Sequence, residues 1–335
     1  MKADAIVIGA GVAGLSAATA LADRGWRVLV LEARPTPGGR ATAFTDPATG
    51  ERVDNGQHVL MGCYHDTFRF LRRVGAAAHA PIQERLAVDV IDRAGRASRL
   101  SCPRLPPPFN LLGGLVTWSA LGWGDRLAAL RMRAAIREAG LKGPSPGHHE
   151  TVRQWLERHR QTPQLIEMLW EPLAIAALNQ AIDVAAASPF ARVLAEMLGS
   201  DPSDACLAVP VRPLDELYAL PARAFVEARG GEVRVNAPAR ILTAELSRGS
   251  AGVVVKVRDE VYRAPIVISA VPWFALSDLL ADGPPAMRET LDHADRTDAS
   301  AIVTVNLWFD QVVTGHAAVG LPGRTMQWIF DKRQV

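Results

Sequence analysis

Three glycines and one acid near the start of the chain have the types and spacing to hold a dinucleotide. They lie in Gly9-Ala10-Gly11-Val12-Ala13-Gly14 and at Glu32, 18 residues after Gly14. Gly9 allows a tight turn, Gly11 lets the backbone approach a pyrophosphate, and Gly14 lets a helix pack closely on a strand. A helix that starts at this turn, through Val12 and Ala13, directs N–H groups and its positive dipole end at the phosphates. A carboxylate at position 32 accepts from a ribose 2′-hydroxyl and repels a 2′-phosphate, so NADP is a poor fit. Next comes Ala33-Arg34-Pro35-Thr36-Pro37-Gly38-Gly39-Arg40. Its glycine pair between two arginines offers N–H groups and cations for a second contact to the same anion. The same letters also describe an ordinary surface turn.

The elements that must position these residues are legible beside them. Ala3 to Ile8 is a nearly continuous apolar run, the pattern of a parallel strand covered on both faces. Leu15 to Asp23 reads as a helix stopped by Gly25, and Trp26 to Leu31 as a second apolar strand ending at Glu32. A lone GxGxxG is weak. Strand, turn, helix, strand and terminal acid in that order make chance a poor explanation.

Composition narrows the function classes. The 335 residues carry 37 Lys+Arg against 35 Asp+Glu, a net charge of +2, and the arginines are scattered rather than clustered, which argues against nucleic acid as a partner. The length favours two domains of ~100–200 residues. Cys63, Cys102 and Cys206 form no CxxC pair, so neither a disulfide framework nor a zinc site is expected and a cytoplasmic setting fits. The uncharged run from Ala5 to Ala22 is explained by a buried strand and helix, and Leu105 to Trp123 is broken by Pro106, Pro107, Pro108, Gly113 and Gly114, so no membrane span is expected. His148-His149-Glu150 lacks a spaced third ligand, and no metal is expected.

Glu32-x-Arg34-x3-Gly38-Gly39-Arg40 after the fingerprint resembles the flavin-containing amine oxidase and phytoene desaturase superfamily. Within it, Val53-Asp54-Asn55-Gly56-Gln57-His58-Val59-Leu60-Met61-Gly62-Cys63-Tyr64 is similar to the squalene-associated, desaturase-like branch, whose members act as hydroxysqualene dehydroxylases in squalene and hopanoid synthesis. Trp170-Glu171-Pro172-Leu173 with Asn179, Gly230-Gly231-Glu232-Val233, Ser269-Ala270-Val271-Pro272 and Gly323-Arg324-Thr325-Met326-Gln327-Trp328 carry the resemblance along the chain. It implies FAD as cofactor, held by both glycine segments, with the backbone of Val233 near the adenine half. It implies that the loop Asn55-Gly56-Gln57-His58 runs past the isoalloxazine ring, with Gln57 or His58 facing substrate. It implies a lipophilic isoprenoid substrate and an unidentified external electron donor. Chains of the family continue into a C-terminal Gly-Asp segment, whereas the only Gly-Asp here is Gly124-Asp125, so the last part of the family's pattern is expected to be missing.

The expected fold is α/β: an FAD-binding Rossmann-type domain (GR2-like) over 1–75 and 205–275, with an interleaved α+β substrate domain over 76–204 and 276–335. Helices are expected at Gly124 to Gly140, Thr151 to Gln161, Pro163 to Ala177, Ser188 to Gly199 and Pro221 to Arg229, with a loop at Pro144, Pro146 and Gly147. Strands are expected at Glu232 to Val235, Ala239 to Leu246, Val253 to Val257, Pro265 to Ala270, Ile302 to Phe309 and Thr325 to Phe330. Asp54-Asn55-Gly56 is also a hairpin-turn signal between β-rich flanks. His58 is the candidate proton donor to a leaving hydroxyl, against the alternative of a histidine bonded only to its neighbours. Between 105 and 137, apolar bulk beside Arg126, Arg131, Arg133 and Arg137 suits peripheral contact with an anionic membrane on its inner face, or equally a core-packing segment with a solvated helix. The function this implies is reductive dehydroxylation of hydroxysqualene. Its rivals are a carotenoid desaturase or amine oxidase on the same scaffold, and an inactive nucleotide-binding fragment.

Overall fold

The structure, a computed structural model, describes residues 3–142, 149–242, 252–280 and 285–334. The chain divides into two compact units. The first comprises Met1–His58, Asp66–Ala80 and Arg212–Ala299. In chain order it holds strand β1 (Ala5–Ile8), helix α1 (Val12–Ala22), strand β2 (Val28–Leu31), helix α2 (Leu220–Glu227), and strands β3 (Glu232–Arg234) and β4 (Ile266–Ser269). The four strands form one parallel sheet in the order β4-β1-β2-β3, with Val7 opposite both Val30 and Ile268, and Val30 opposite Val233. Every residue of β1 and β2 is buried, which is why both read as unbroken apolar runs.

One sheet face supplies Ile6, Ile8, Leu29 and Leu31 to a core with Val255, Val257 and Leu279. The helix α1 is built largely from alanine and glycine, so its backbone lies close to its neighbours, and it packs against α2. It stops where expected: Gly25 has φ +82° and donates to the Ala22 carbonyl at 3.0 Å. An antiparallel sheet of Ala239–Ile241, Val253–Val257 and Glu260–Ala264 also belongs to this unit. Its first strand ends earlier than the sequence pattern indicates, and positions 243–246 of that expected strand lie outside the described residues. The helix expected from Pro221 has a π-helical turn, Asp215–Ala219, ahead of it.

The turn Asp54-Asn55-Gly56 does not close a hairpin. Arg52–Asp54 pairs instead with Ala43–Thr45, and the Asn55 N–H continues that ribbon by donating to the Thr42 carbonyl at 2.8 Å. The turn's hydrogen-bonding capacity is used toward the preceding strand, not the following one.

The second unit comprises Val59–His65, Pro81–Val211 and Ser300–Val335. Its four-stranded sheet runs Trp328–Phe330, Ala318–Gly320, Ala87–Ile91, Ala97–Ser101, and Leu60–Met61 pairs with Leu207–Ala208. The helices Trp123–Lys142, Val152–Arg158 and Ala187–Met197, with the run Pro163–Leu178 that has a π-helical turn at Ile166–Trp170, enclose Trp118, Met132, Trp155 and Phe190. Thr151 opens one of them with a reciprocal capping box to Gln154.

Three expectations for this half need correction. No strand is expected between residues 76 and 204, yet Ala87–Ile91 and Ala97–Ser101 form a hairpin. Gly113 and Gly114 do not interrupt structure but sit inside a helix, Phe109–Thr117. A Cβ on Gly114 would stand 2.5 Å from the Cys102 sulfur, so this glycine serves close packing. Ile302 to Phe309 is not a strand: no described strand pairs with it, and Ile302, Val303 and Leu307 are 70–74% exposed. An alternating pattern becomes a strand only when a neighbour takes up its backbone hydrogen bonds. The loop expected at Pro144, Pro146 and Gly147 lies outside the described residues.

Candidate dinucleotide site

The fingerprint glycines divide by what a side chain would meet. At Gly9, φ is +103° and a Cβ would stand 2.8 Å from the Ala270 carbonyl oxygen. At Gly14 it would stand 1.9 Å from the Gly9 carbonyl oxygen. Both positions therefore set how closely α1 approaches the end of the sheet. Gly11 differs. Its φ is an ordinary −78°, and a Cβ would find nothing nearer than the Gly39 Cα at 4.0 Å. The protein itself does not need glycine at position 11, and the space before the α1 N-terminus is kept open by its absence of a side chain. That space has room for a pyrophosphate, which there would face the helix N–H groups of Val12, Ala13 and Gly14 that lack an acceptor within the helix.

Glu32 directly follows β2 and is only 7% exposed. Its Oε2 accepts from the Ala10 N–H at 2.7 Å, and its Oε1 from the Arg34 N–H at 2.9 Å, across the exposed Ala33. A carboxylate has about four acceptor positions. Two hold the turns on either side, and the remainder suit a ribose hydroxyl. Val233 is buried in β3, beside β2.

The second glycine segment meets the first backbone to backbone. The Gly38 N–H donates to the Ala10 carbonyl at 2.8 Å, and a Cβ on Gly39 would stand 3.2 Å from the Gly11 Cα. Both glycines have positive φ, +123° and +64°. Four successive carbonyls of this turn are taken by side chains: Arg34 donates to Gly39 at 3.3 Å, Asn55 to Arg40 at 2.8 Å, and the Tyr218 hydroxyl faces those of Gly38 and Ala41. The Arg40 guanidinium lies over the Trp273 ring, 5.6 Å from its centre. Tyr218 is the residue that the sequence reading missed, since nothing local distinguishes a tyrosine in an apolar helix from core.

Asn55 thus ties the loop Asn55-Gly56-Gln57-His58 to the second glycine segment. His58 is half-buried, with Nδ1 3.1 Å from the Gly56 carbonyl oxygen. That oxygen can only accept, so Nδ1 carries the hydrogen and Nε2 is the atom left to exchange a proton. Gln57 donates to the His58 carbonyl at 3.0 Å. In the other unit, burial pushes the Cys63 thiol up to about 11, with Asp204 adding to the shift, which makes it a poor nucleophile near neutral pH. Glu150 is engaged by Arg158 at 2.7 and 2.8 Å, while His148 lies outside the described residues. Among the described residues no group of three His, Cys, Asp or Glu side chains is placed to hold a metal, and no helix is long and apolar enough to cross a membrane.

Comparison with known proteins places this geometry in context. The family described as flavin containing amine oxidoreductase matches residues 12–334. A probable zeta-carotene desaturase of Synechococcus elongatus is 26% identical over 325 residues, covering 92% of this chain and 66% of its own length. A hydroxysqualene dehydroxylase of Zymomonas mobilis is 26% identical over 330 residues, covering 97% of this chain and 73% of its own. The chain therefore spans only about two thirds to three quarters of these relatives. An oxidoreductase structure from Methanosarcina mazei superposes with a TM-score of 0.69 at 18% identity, over 100% of this chain and 75% of that one, a likeness of fold.

Proposed function

The chain belongs to the flavin containing amine oxidoreductase family, whose cofactor is FAD, and from that premise we propose that it is an FAD-dependent oxidoreductase acting on a polyisoprenoid. The observation that carries this reading is the open space at Gly11, framed by two glycine turns and an acid suited to a ribose. Within this chain, Gly9, Gly11, Gly14 and the α1 N-terminus would hold the phosphates, with Gly38, Gly39 and Arg40 opposite them. Glu32 would hold the ribose, and Val233 would lie at the adenine end. The loop 55–58 would pass the flavin ring.

The substrate we favour is hydroxysqualene, converted reductively to squalene. Hydroxysqualene dehydroxylases of Zymomonas mobilis and Sinorhizobium fredii align over 97% of this chain. FAD, when bound there in its reduced form, would supply a hydride. The protein's part would be to protonate the departing hydroxyl, so that the C–O bond breaks with loss of water, and to keep water away from the allylic carbon left behind. His58, acting as the imidazolium with its Nδ1–H held by the Gly56 carbonyl and the transferable proton on Nε2, is the proposed acid, and Gln57 its neighbour toward substrate. Each turnover consumes one two-electron reductant from outside the chain. Replacing His58 by alanine is expected to lower turnover by about 100-fold while leaving bound flavin near the unaltered level. Full turnover in that variant removes His58 from the mechanism.

Oxidative desaturation of a carotenoid is the second reading, supported by the Synechococcus elongatus relative. Anaerobic assays separate them: reduced enzyme consuming hydroxysqualene supports the first, and oxidised enzyme consuming a carotene the second. A lipophilic substrate also gives the exposed surface of Trp123–Lys142 a use. Trp123, Leu127 and Leu130 lie along one face and are 47–71% exposed, with Arg131, Arg133 and Arg137 exposed nearby. We propose that this helix rests on an anionic membrane surface.

A further inference from the structure

The turn Gly38–Ala41 has a support that the cofactor motifs do not contain. Tyr218 is 3% exposed and stands in the π-helical turn Asp215–Ala219 that leads into α2. Its ring packs edge-on against Phe70, with centroids 6.2 Å apart and planes at 64°. Its hydroxyl shares its one hydrogen between two carbonyl oxygens of one turn, those of Gly38 and Ala41, the latter at 2.7 Å. Burial pushes the phenol well above its ordinary range, so it remains a neutral donor at any physiological pH.

A trans peptide places its N–H opposite its C=O. Holding the Gly38 carbonyl toward the protein therefore turns the Gly39 N–H away from it, and holding the Gly39 carbonyl, as Arg34 does, turns out that of Arg40. Among the described residues neither N–H finds an acceptor. Successive outward N–H groups make a concave anion site. This one abuts Gly11, where the first turn leaves its space open.

We propose that Tyr218 is a positioning residue for the dinucleotide's pyrophosphate, holding the carbonyls of Gly38 and Ala41 inward so that the second glycine turn presents its N–H groups to the phosphates. The proposal rests on the reading of this unit as a dinucleotide site. Tyr218 touches no ligand in this scheme. It acts through the turn, and its effect is confined to ligands that carry the pyrophosphate.

The test compares FAD, ADP and adenosine on the full chain, by flavin fluorescence for the first and calorimetry for the others, beside the thermal unfolding midpoint of the unliganded protein. Tyr218→Phe keeps the ring against Phe70 and removes only the hydroxyl. It is expected to weaken FAD and ADP roughly tenfold and to leave adenosine unchanged. Phe70→Leu disturbs the same packing without touching the hydroxyl. It is expected to lower the unfolding midpoint while keeping the ratio of ADP to adenosine affinity. Unchanged ADP affinity in Tyr218→Phe, equal weakening of adenosine, or the same change of ratio in Phe70→Leu would each overturn the role. If the unaltered chain, folded, bound neither FAD nor ADP, the dinucleotide reading itself would fail and take the role of Tyr218 with it.

Discussion

Two glycines three residues apart in the same motif, Gly11 and Gly14, separate folding from binding. A Cβ at Gly14 would collide with the Gly9 carbonyl oxygen at 1.9 Å, whereas one at Gly11 would make ordinary contact at 4.0 Å. Gly14→Ala is therefore expected to cost about 3 kcal/mol of stability, read as a lowered unfolding midpoint. Gly11→Ala is expected to unfold like the unaltered chain yet bind FAD at least roughly tenfold more weakly, because its methyl group fills the place of the phosphates. Loss of stability in Gly11→Ala, or undiminished FAD affinity, would show that the open space is not the cradle. At this scale the sequence was most informative where backbone geometry dictates residue type. Gly9, Gly14 and Glu32 could be read from spacing alone, because few other residues satisfy a tight turn, a close helix and a buried acceptor of the Ala10 N–H. Tyr218 could not, since its partners are 177 and 180 residues away.

Elements were legible in proportion to how far their own residues decide them. The two buried strands β1 and β2 announce themselves by unbroken apolar runs, and Thr151 with Gln154 announces a helix start. The segment Ile302 to Phe309 has the letters of a strand and lacks a described partner, while Gly113 and Gly114 have the letters of a break and lie in a helix. In both cases the deciding atoms belong to other parts of the chain. The helix Trp123–Lys142 carries the element-scale prediction. Trp123, Leu127 and Leu130 face outward, while Ala128, Met132 and Ile136 are buried, so the outer face can be altered without loss of core. Replacing those three outward side chains by serine is expected to leave the unfolding midpoint unchanged and to reduce sedimentation with anionic vesicles at least roughly tenfold. Unchanged sedimentation would assign that face to another partner.

At the scale of the whole molecule, the described chain joins a unit that carries the two glycine turns to a second unit rich in helices, each with its own core. The first was readable because a dinucleotide constrains backbone, spacing and charge together. The second was not, because a helical core can be filled by many combinations of apolar side chains. That asymmetry is why the cofactor follows from the residues while hydroxysqualene stays a proposal. The central claim, that these two glycine turns hold FAD, is tested most directly by titrating FAD into the purified, folded chain and recording its visible absorption. Saturable binding is expected, with flavin bands shifted and resolved from those of free FAD, and weaker binding in Gly11→Ala. Bands that stay those of free FAD at every protein concentration would contradict it.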